Sequence, residues 1–124
     1  MYEDDDDDPI EAAQRLARLD PRSAAAAFQR VACDDGVDAD YRIDAAKELA
    51  RLDRRAAAEA LRLIACDDGV DDGLRLEAAE WLPRLDPRAA AEAFRAIACD
   101  DGVDDGLRSS AAEQLVRLGP RQVI

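Results

Sequence analysis

Three cysteines head three acidic octapeptides: CDDGVDAD at 33–40, CDDGVDDG at 66–73, and CDDGVDDG again at 99–106. Thiols and carboxylates around a glycine are the residue types of redox and cation sites. Carboxylates flanking a glycine turn can ligate Ca²⁺, but this spacing matches neither D-x-[DN]-x-[DN]-G nor the glycine-rich nonapeptide of calcium-binding β-rolls. A plainer chemistry uses the same residues. Aspartates at a helix start cap free N–H groups and suit the positive helix end, while Gly69 and Gly102 supply positive φ, Gly102 as a left-handed C-cap. A third reading is an acidic strip facing a basic partner.

Cys33, Cys66 and Cys99 recur in register, too far apart for a disulfide, which needs Cα atoms within about 7 Å. The chain has no His, and no second cysteine lies near any of the three, so no zinc site, metal or cofactor is expected. The cysteines read as small, partly buried residues at crowded loop junctions, with redox sensing as the sharper alternative. The only hydroxyl nucleophiles outside tyrosine are Ser23, Ser109 and Ser110, and no paired-carboxylate motif stands outside the loops, so no catalytic residues are assigned and the chain reads as a non-enzyme.

The elements that carry these loops follow from a repeat. Leu19–Arg51, Leu52–Arg84 and Leu85–Arg117 are three units of 33 residues, the second and third identical at 26 positions and the first and second at 18. Residues 1–18 align with the second half of a unit behind an acidic run, and residues 118–124 with the start of a further one. The frame thus opens and closes in mid-unit, and it ends on apolar Val123 and Ile124 where repeat arrays need polar caps. The expectation is a piece of a longer array or larger protein.

Ala, Asp, Arg and Leu dominate the 124 residues, with the helix formers Ala, Leu and Arg prominent among them; aromatic content is 4%, and the prior is all-α with small side chains between close helices. Each unit predicts two helices. In Leu85–Arg117, Asp86 is the N-cap and Pro87 the first helical residue, and the helix runs to about Cys99. Its buried stripe is Ala90, Ala93, Phe94, Ile97 and Ala98. A second helix starts near Asp104 or Asp105 and buries Leu107, Ala111, Leu115 and Leu118. Its counterparts are Tyr41, Ala45, Leu49, Leu52 and Leu74, Ala78, Leu82, Leu85. Pro83 is expected to kink the last turn of its helix.

LRLEAAEWLPRLDP at 74–87, YRIDAAKELARLDR at 41–54 and LRSSAAEQLVRLGP at 107–120 resemble the HEAT-like (PBS-lyase-type) repeat pattern V/L-R-x-x-A-A-x-x-L-x-x-L-x-D-P. A TPR-like reading competes, because its period of 34 is close and A-x-x-x-F occurs at 24–28 and 90–94; the W-x-x-L-G-x-x-Y signature is missing. The HEAT-like resemblance implies a right-handed α-solenoid of antiparallel helix pairs. It also implies that the first helix of each unit lines the concave side.

The outward positions of those first helices are the expected partner-binding residues. They are Arg22, Ala26, Gln29 and Arg30 in the first unit, and Arg55, Glu59, Arg62 and Leu63 in the second. Arg88, Glu92, Arg95 and Ala96 follow in the third. Arg is enriched at interface hot spots. Trp81, the sole tryptophan, is expected to pack between units. The aspartates should line one edge of the array. Arg18, Arg22, Arg51, Arg55, Arg84, Arg88, Arg117 and Arg121 should line the other.

Net charge is −12, which disfavours nucleic acid and anionic membrane, and no 18-residue apolar run or signal peptide is present. Three free thiols fit a cytoplasmic setting. The sequence therefore predicts a protein-interaction scaffold or ligand-sensing repeat module of a larger intracellular protein, with a protein or peptide partner. The alternative is an array that stacks end to end through uncapped ends.

Overall fold

A computed structural model describes residues 9–119. Within them the chain forms seven helices and no strand: α1 (Pro9–Ala17), α2 (Pro21–Ala32), α3 (Ala39–Leu49), α4 (Arg54–Ala65), α5 (Asp72–Glu80), α6 (Pro87–Ala98) and α7 (Asp105–Leu118). The Asp4–Asp8 run, Arg121, Val123 and Ile124 lie outside the described residues.

α2, α4 and α6 begin alike. Asp20, Asp53 and Asp86 stand at the N-cap in extended backbone, and each carboxylate accepts an N–H of the first turn: Ser23 at 3.2 Å, Ala56 at 3.1 Å, and Arg88 and Ala89 at 3.1 and 3.2 Å. Pro21 and Pro87 occupy the first helical position, where a missing N–H costs nothing. All three helices end at cysteine C-caps, Cys33, Cys66 and Cys99. α5 and α7 are capped differently: Asp71 and Asp104 accept the N–H of Gly73 at 3.1 Å and of Gly106 at 3.0 Å. Asp38, at the head of α3, makes no such side-chain bond.

Pro83 shortens its helix rather than kinking it. α5 stops at Glu80, and Trp81 and Leu82 donate to carbonyls only three residues back, Ala78 and Ala79. Proline has no N–H for the carbonyl four residues earlier, and its ring crowds that carbonyl, so the regular ladder closes before it.

Two rows of helices result. α2 touches α4 and α4 touches α6; α1 touches α3, α3 touches α5 and α5 touches α7; consecutive helices join the rows. Among the described residues, contacts between helices run only to neighbours one or two places along the chain. Alanine makes the close approach feasible: Ala24, Ala57, Ala90, Ala45, Ala78 and Ala111 are wholly buried. Phe28, Leu61 and Phe94 fill the same place 33 residues apart and are also buried. Truncating either phenylalanine to alanine removes about 3–5 kcal/mol in such a setting.

The stripe expected in α6 is found and recurs at the equivalent positions of α2 and α4, although Ala27, Val31 and Ala98 are only partly buried. The second helices differ from expectation. Ala45, Leu49, Ala78, Leu82 and Ala111 are buried as anticipated, but Tyr41 is 48% and Leu52 38% exposed, and Leu74, Leu85, Leu107, Leu115 and Leu118 are half-buried. Ile43, Ala46, Leu76 and Ala79 are buried instead. The reason is geometric. A second helix packs on the first helices on either side of it and on its own row, so its buried face is broader than one stripe, and its terminal turns project past the neighbours.

The loops carry a second correction. Gly36, Gly69 and Gly102 do not take positive φ; among the described residues only Gly119 does. Each loop glycine instead donates its N–H to the aspartate two residues before it, at 2.9 Å in all three copies. An added Cβ would sit 3.2–3.3 Å from that carboxylate. Glycine is used here for close approach, not for handedness.

Candidate functional site

Among the described residues two arginines are buried, Arg42 at 6% and Arg75 at 3% exposure. Their counterpart in α7 is Arg108. The Nε–H groups of Arg42, Arg75 and Arg108 donate to the carbonyls of Ala32 at 3.1 Å, Ala65 at 2.9 Å and Ala98 at 3.3 Å. Those alanines are the last residues of α2, α4 and α6, whose final carbonyls lack helical partners and carry the negative end of the helix dipole. A cation there is stabilised by the dipole, and its hydrogen bonds offset the cost of burying it. Arg75 reaches further: Nη1 lies 2.8 Å from Oδ2 of Asp100.

That contact explains part of the acidic octapeptide. Asp100 accepts Gly102 on Oδ1 and Arg75 on Oδ2, so it holds its own turn and the preceding helix pair together. The Arg75 hydrogen bond, then the Gly102 N–H, keep its carboxyl below the usual range. Asp72 adds a second link by accepting the Asp104 N–H at 3.2 Å. Asp35, Asp68 and Asp101 are exposed, the last 3.7 Å from Arg108. Among the described residues, no group of three or more acidic, Cys or His side chains is arranged to hold a metal ion. The expected partial burial of the cysteines holds for Cys66, whereas Cys33 and Cys99 are exposed on the same C-cap turn. All three thiols are free, and burial pushes the Cys66 thiol up.

The expected partner residues sit on the adjoining helices α2, α4 and α6. Arg22, Gln29, Arg30, Arg55, Glu59, Arg88, Glu92 and Arg95 are exposed, and Leu63 is 43% exposed. Ala96 is half-buried. Arg62 is half-buried too and committed internally: Nη2 lies 2.8 Å from Glu59 and Nη1 3.6 Å from Glu92 of the neighbouring helix. The Arg62 hydrogen bond holds the Glu59 carboxyl low, and Glu59 raises the Arg62 guanidinium in return. The centre of this face is therefore an ion-pair cluster of one arginine between two glutamates, on the helix that also carries the exposed Leu63.

At the other ends of the helices lies a trough of about 1040 Å³. Lys47, Arg51, Arg54 and Arg84 line it with Leu52, Leu85 and Trp81. Trp81 is 42% exposed and carries Lys47 Nζ 5.1 Å from its ring centroid, a contact between α3 and the end of α5. Lys47 is itself held by Glu77 at 3.3 Å and Asp44 at 4.0 Å. Arg54 donates to the Arg84 carbonyl and fixes that turn. The sequence reading placed the arginines on this edge but not the trough. The signal was the chemistry interleaved with them: Leu52 and Leu85 follow Arg51 and Arg84, and Trp81 sits one turn before Arg84.

No helix among the described residues is long and apolar enough to cross a membrane. No protein-family model, curated protein or solved structure matches the chain.

Proposed function

We propose that the chain is a non-enzymatic protein-interaction module, a right-handed α-solenoid of 33-residue HEAT-like helix pairs that presents a row of parallel helix faces to a protein or peptide. The observation that carries this reading is the row α2–α4–α6, whose outward residues, Arg62 and Ala96 aside, are exposed on three helices in direct succession. Nearest-neighbour contacts and the three Arg-to-Ala bonds at 33-residue intervals support the array. The exposed Leu63, next in sequence to Arg62 and four residues after Glu59 on the same helix, is an apolar anchor among polar groups of the kind interfaces use. The module belongs to an intracellular setting with free thiols.

Capture from source-cell lysate tests the face. The bait is the chain beside a Leu63→Glu, Arg30→Glu double variant, which leaves the Arg62 ion pairs in place. A protein held by the first and lost by the second supports the reading; identical capture by both removes this face from it.

One observation favours the alternative, end-to-end stacking. α7 buries only Ala111, whereas α3 buries Ile43, Ala45, Ala46 and Leu49, and Val116 on α7 is 78% exposed. Light scattering across a concentration series decides it: mass growth with concentration supports stacking, and a constant monomer mass refutes it.

A further inference from the structure

We propose that the trough on the arginine edge binds an acidic peptide in polyproline-II conformation. Carboxylates three residues apart would pair with Arg51 and Arg84, and an apolar side chain between them would lie against Trp81. This rests on the interaction-module reading but uses a different surface, formed by the ends of α3 and α5 and the start of α4.

Charge points to the occupant. The whole chain is −12, yet the lining of this trough holds four cations, Lys47, Arg51, Arg54 and Arg84, against two carboxylates, Glu48 and Asp53. Two of the cations are occupied in holding the site: Lys47 fixes the Trp81 ring and Arg54 the Arg84 backbone. Arg51 extends into solvent, its side chain 78% exposed, with Glu48 3.6 Å away, and Arg84 is exposed as well. An aromatic ring already held in place costs little entropy to use.

Spacing points to the conformation. A second trough, of about 520 Å³, shares Glu48, Arg51 and Leu52 with the first and adds Gln14, Ala17, Arg18 and Phe28. Arg18, Arg51 and Arg84 are 33 residues apart in sequence, so an arginine recurs at the same place in the frame and the two troughs join at Arg51, although Gln14 and Glu48 stand in the second where Lys47 and Trp81 stand in the first. Packed helices lie about 8–10 Å apart. A polyproline-II strand returns the same face every third residue, after about 9.3 Å. An extended β-strand does so every second residue, after about 6.6 Å, and misses the interval. Aromatic-lined grooves accept polyproline-II segments because little order remains to be imposed on them.

The sole tryptophan, Trp81, reports binding. The acetylated, amidated heptapeptide EPLEPLE is titrated into the full chain, with emission and calorimetry read together. The controls are QPLQPLQ, the regrouped EEEPLPL, and an oligothymidylate. The expected result is a saturable change with EPLEPLE only, with affinity reduced about tenfold in an Arg51→Gln, Arg84→Gln double variant and unchanged in Leu63→Glu. Both arginines are exposed, and Arg54 holds the Arg84 carbonyl rather than its side chain, so circular dichroism should show the double variant folded. No saturable response overturns the proposal, as does equal binding of EEEPLPL or of the oligothymidylate. Binding lost in Leu63→Glu but kept in the double arginine variant also overturns it, while leaving the interaction-module reading intact.

Discussion

Nη1 of Arg75 lies 2.8 Å from Oδ2 of Asp100, a residue 25 positions further along the chain, while the same guanidinium caps Ala65 through Nε. One buried cation thus closes its own helix pair and ties it to the next loop. Arg75→Ala leaves a buried carbonyl and a carboxylate without their donor. The expected loss is about 2–3 kcal/mol in urea denaturation. Arg108→Ala should cost less, because Arg108 is 34% exposed and its carbonyl bond is longer, 3.3 Å. Arg75→Lys keeps the charge without the fork and should fall between parent and alanine. Equal, small effects at both positions would contradict the capping role.

Acid should unfold the chain through the same contact. The carboxyls of Asp100, Asp20 and Glu59 are all held below their ordinary range, by Arg75, Ser23 and Arg62 respectively. Groups with lowered folded values stabilise the fold fully above the unfolded value, about 4, and lose that contribution as pH falls through the folded value. Self-repulsion of the −12 chain works the other way, easing as pH drops toward 5. The thermal midpoint should hold or rise slightly from pH 7 to 5 and fall below about pH 4. Asp100→Asn should melt lower than the parent at pH 7, and the gap should shrink by pH 3. A gap of constant size would mean that the Asp100 charge is not involved.

Thiol labelling should separate the three cysteines. Cys33 and Cys99 are exposed, whereas Cys66 is half-buried with its thiol pushed up by burial. Iodoacetamide at pH 8, followed by peptide mapping, should modify Cys33 and Cys99 well before Cys66. Equal rates at all three would show that the second loop opens on the labelling timescale.

The loop glycines give a paired prediction. In Gly69→Ala the new Cβ meets the Asp67 carboxylate at 3.2 Å, and Asp67 can give way. In Gly102→Ala it meets Asp100 at 3.3 Å, and Asp100 is clamped by Arg75. Neither needs positive φ, so Gly69→Ala should change stability by less than about 1 kcal/mol, with Gly102→Ala the more costly of the two. A large loss at Gly69 would mean the loop relies on a backbone only glycine adopts.

The helices were legible because their signals are local: Asp-Pro starts, alanine-rich stripes at helical spacing, and loops recurring in frame. Asp86 as N-cap and Pro87 as first residue stand where the sequence places them, and the next helix begins within the expected Asp104–Asp105 step, with Asp104 its cap. What the sequence hid depends on which groups meet across loops. Arg42 and Arg75 look like ordinary polar positions beside a leucine or tyrosine, and only the fold shows an unpaired carbonyl waiting ten residues upstream. The glycines were misread because a D-x-G turn satisfies its N–H through the aspartate as readily as by left-handed backbone. The candidate face reads from the sequence as a mixture of arginines and glutamates, and only the fold shows that Arg62 is paired with Glu59 and, across to α6, with Glu92.

The three arginine–alanine bonds also set a rule for how this gene can change length. Each such bond spans ten residues and lies wholly inside one 33-residue unit. An in-frame deletion of 52–84 removes Arg75 together with Ala65 and leaves Arg42 with Ala32 and Arg108 with Ala98. A deletion of 70–85 instead takes Arg75 and leaves the Ala65 carbonyl without its donor. Recombination between near-identical units makes changes of the first kind, so gain or loss of whole units preserves every internal cap, and the length of the array can drift in steps of 33 without breaking what holds each step together.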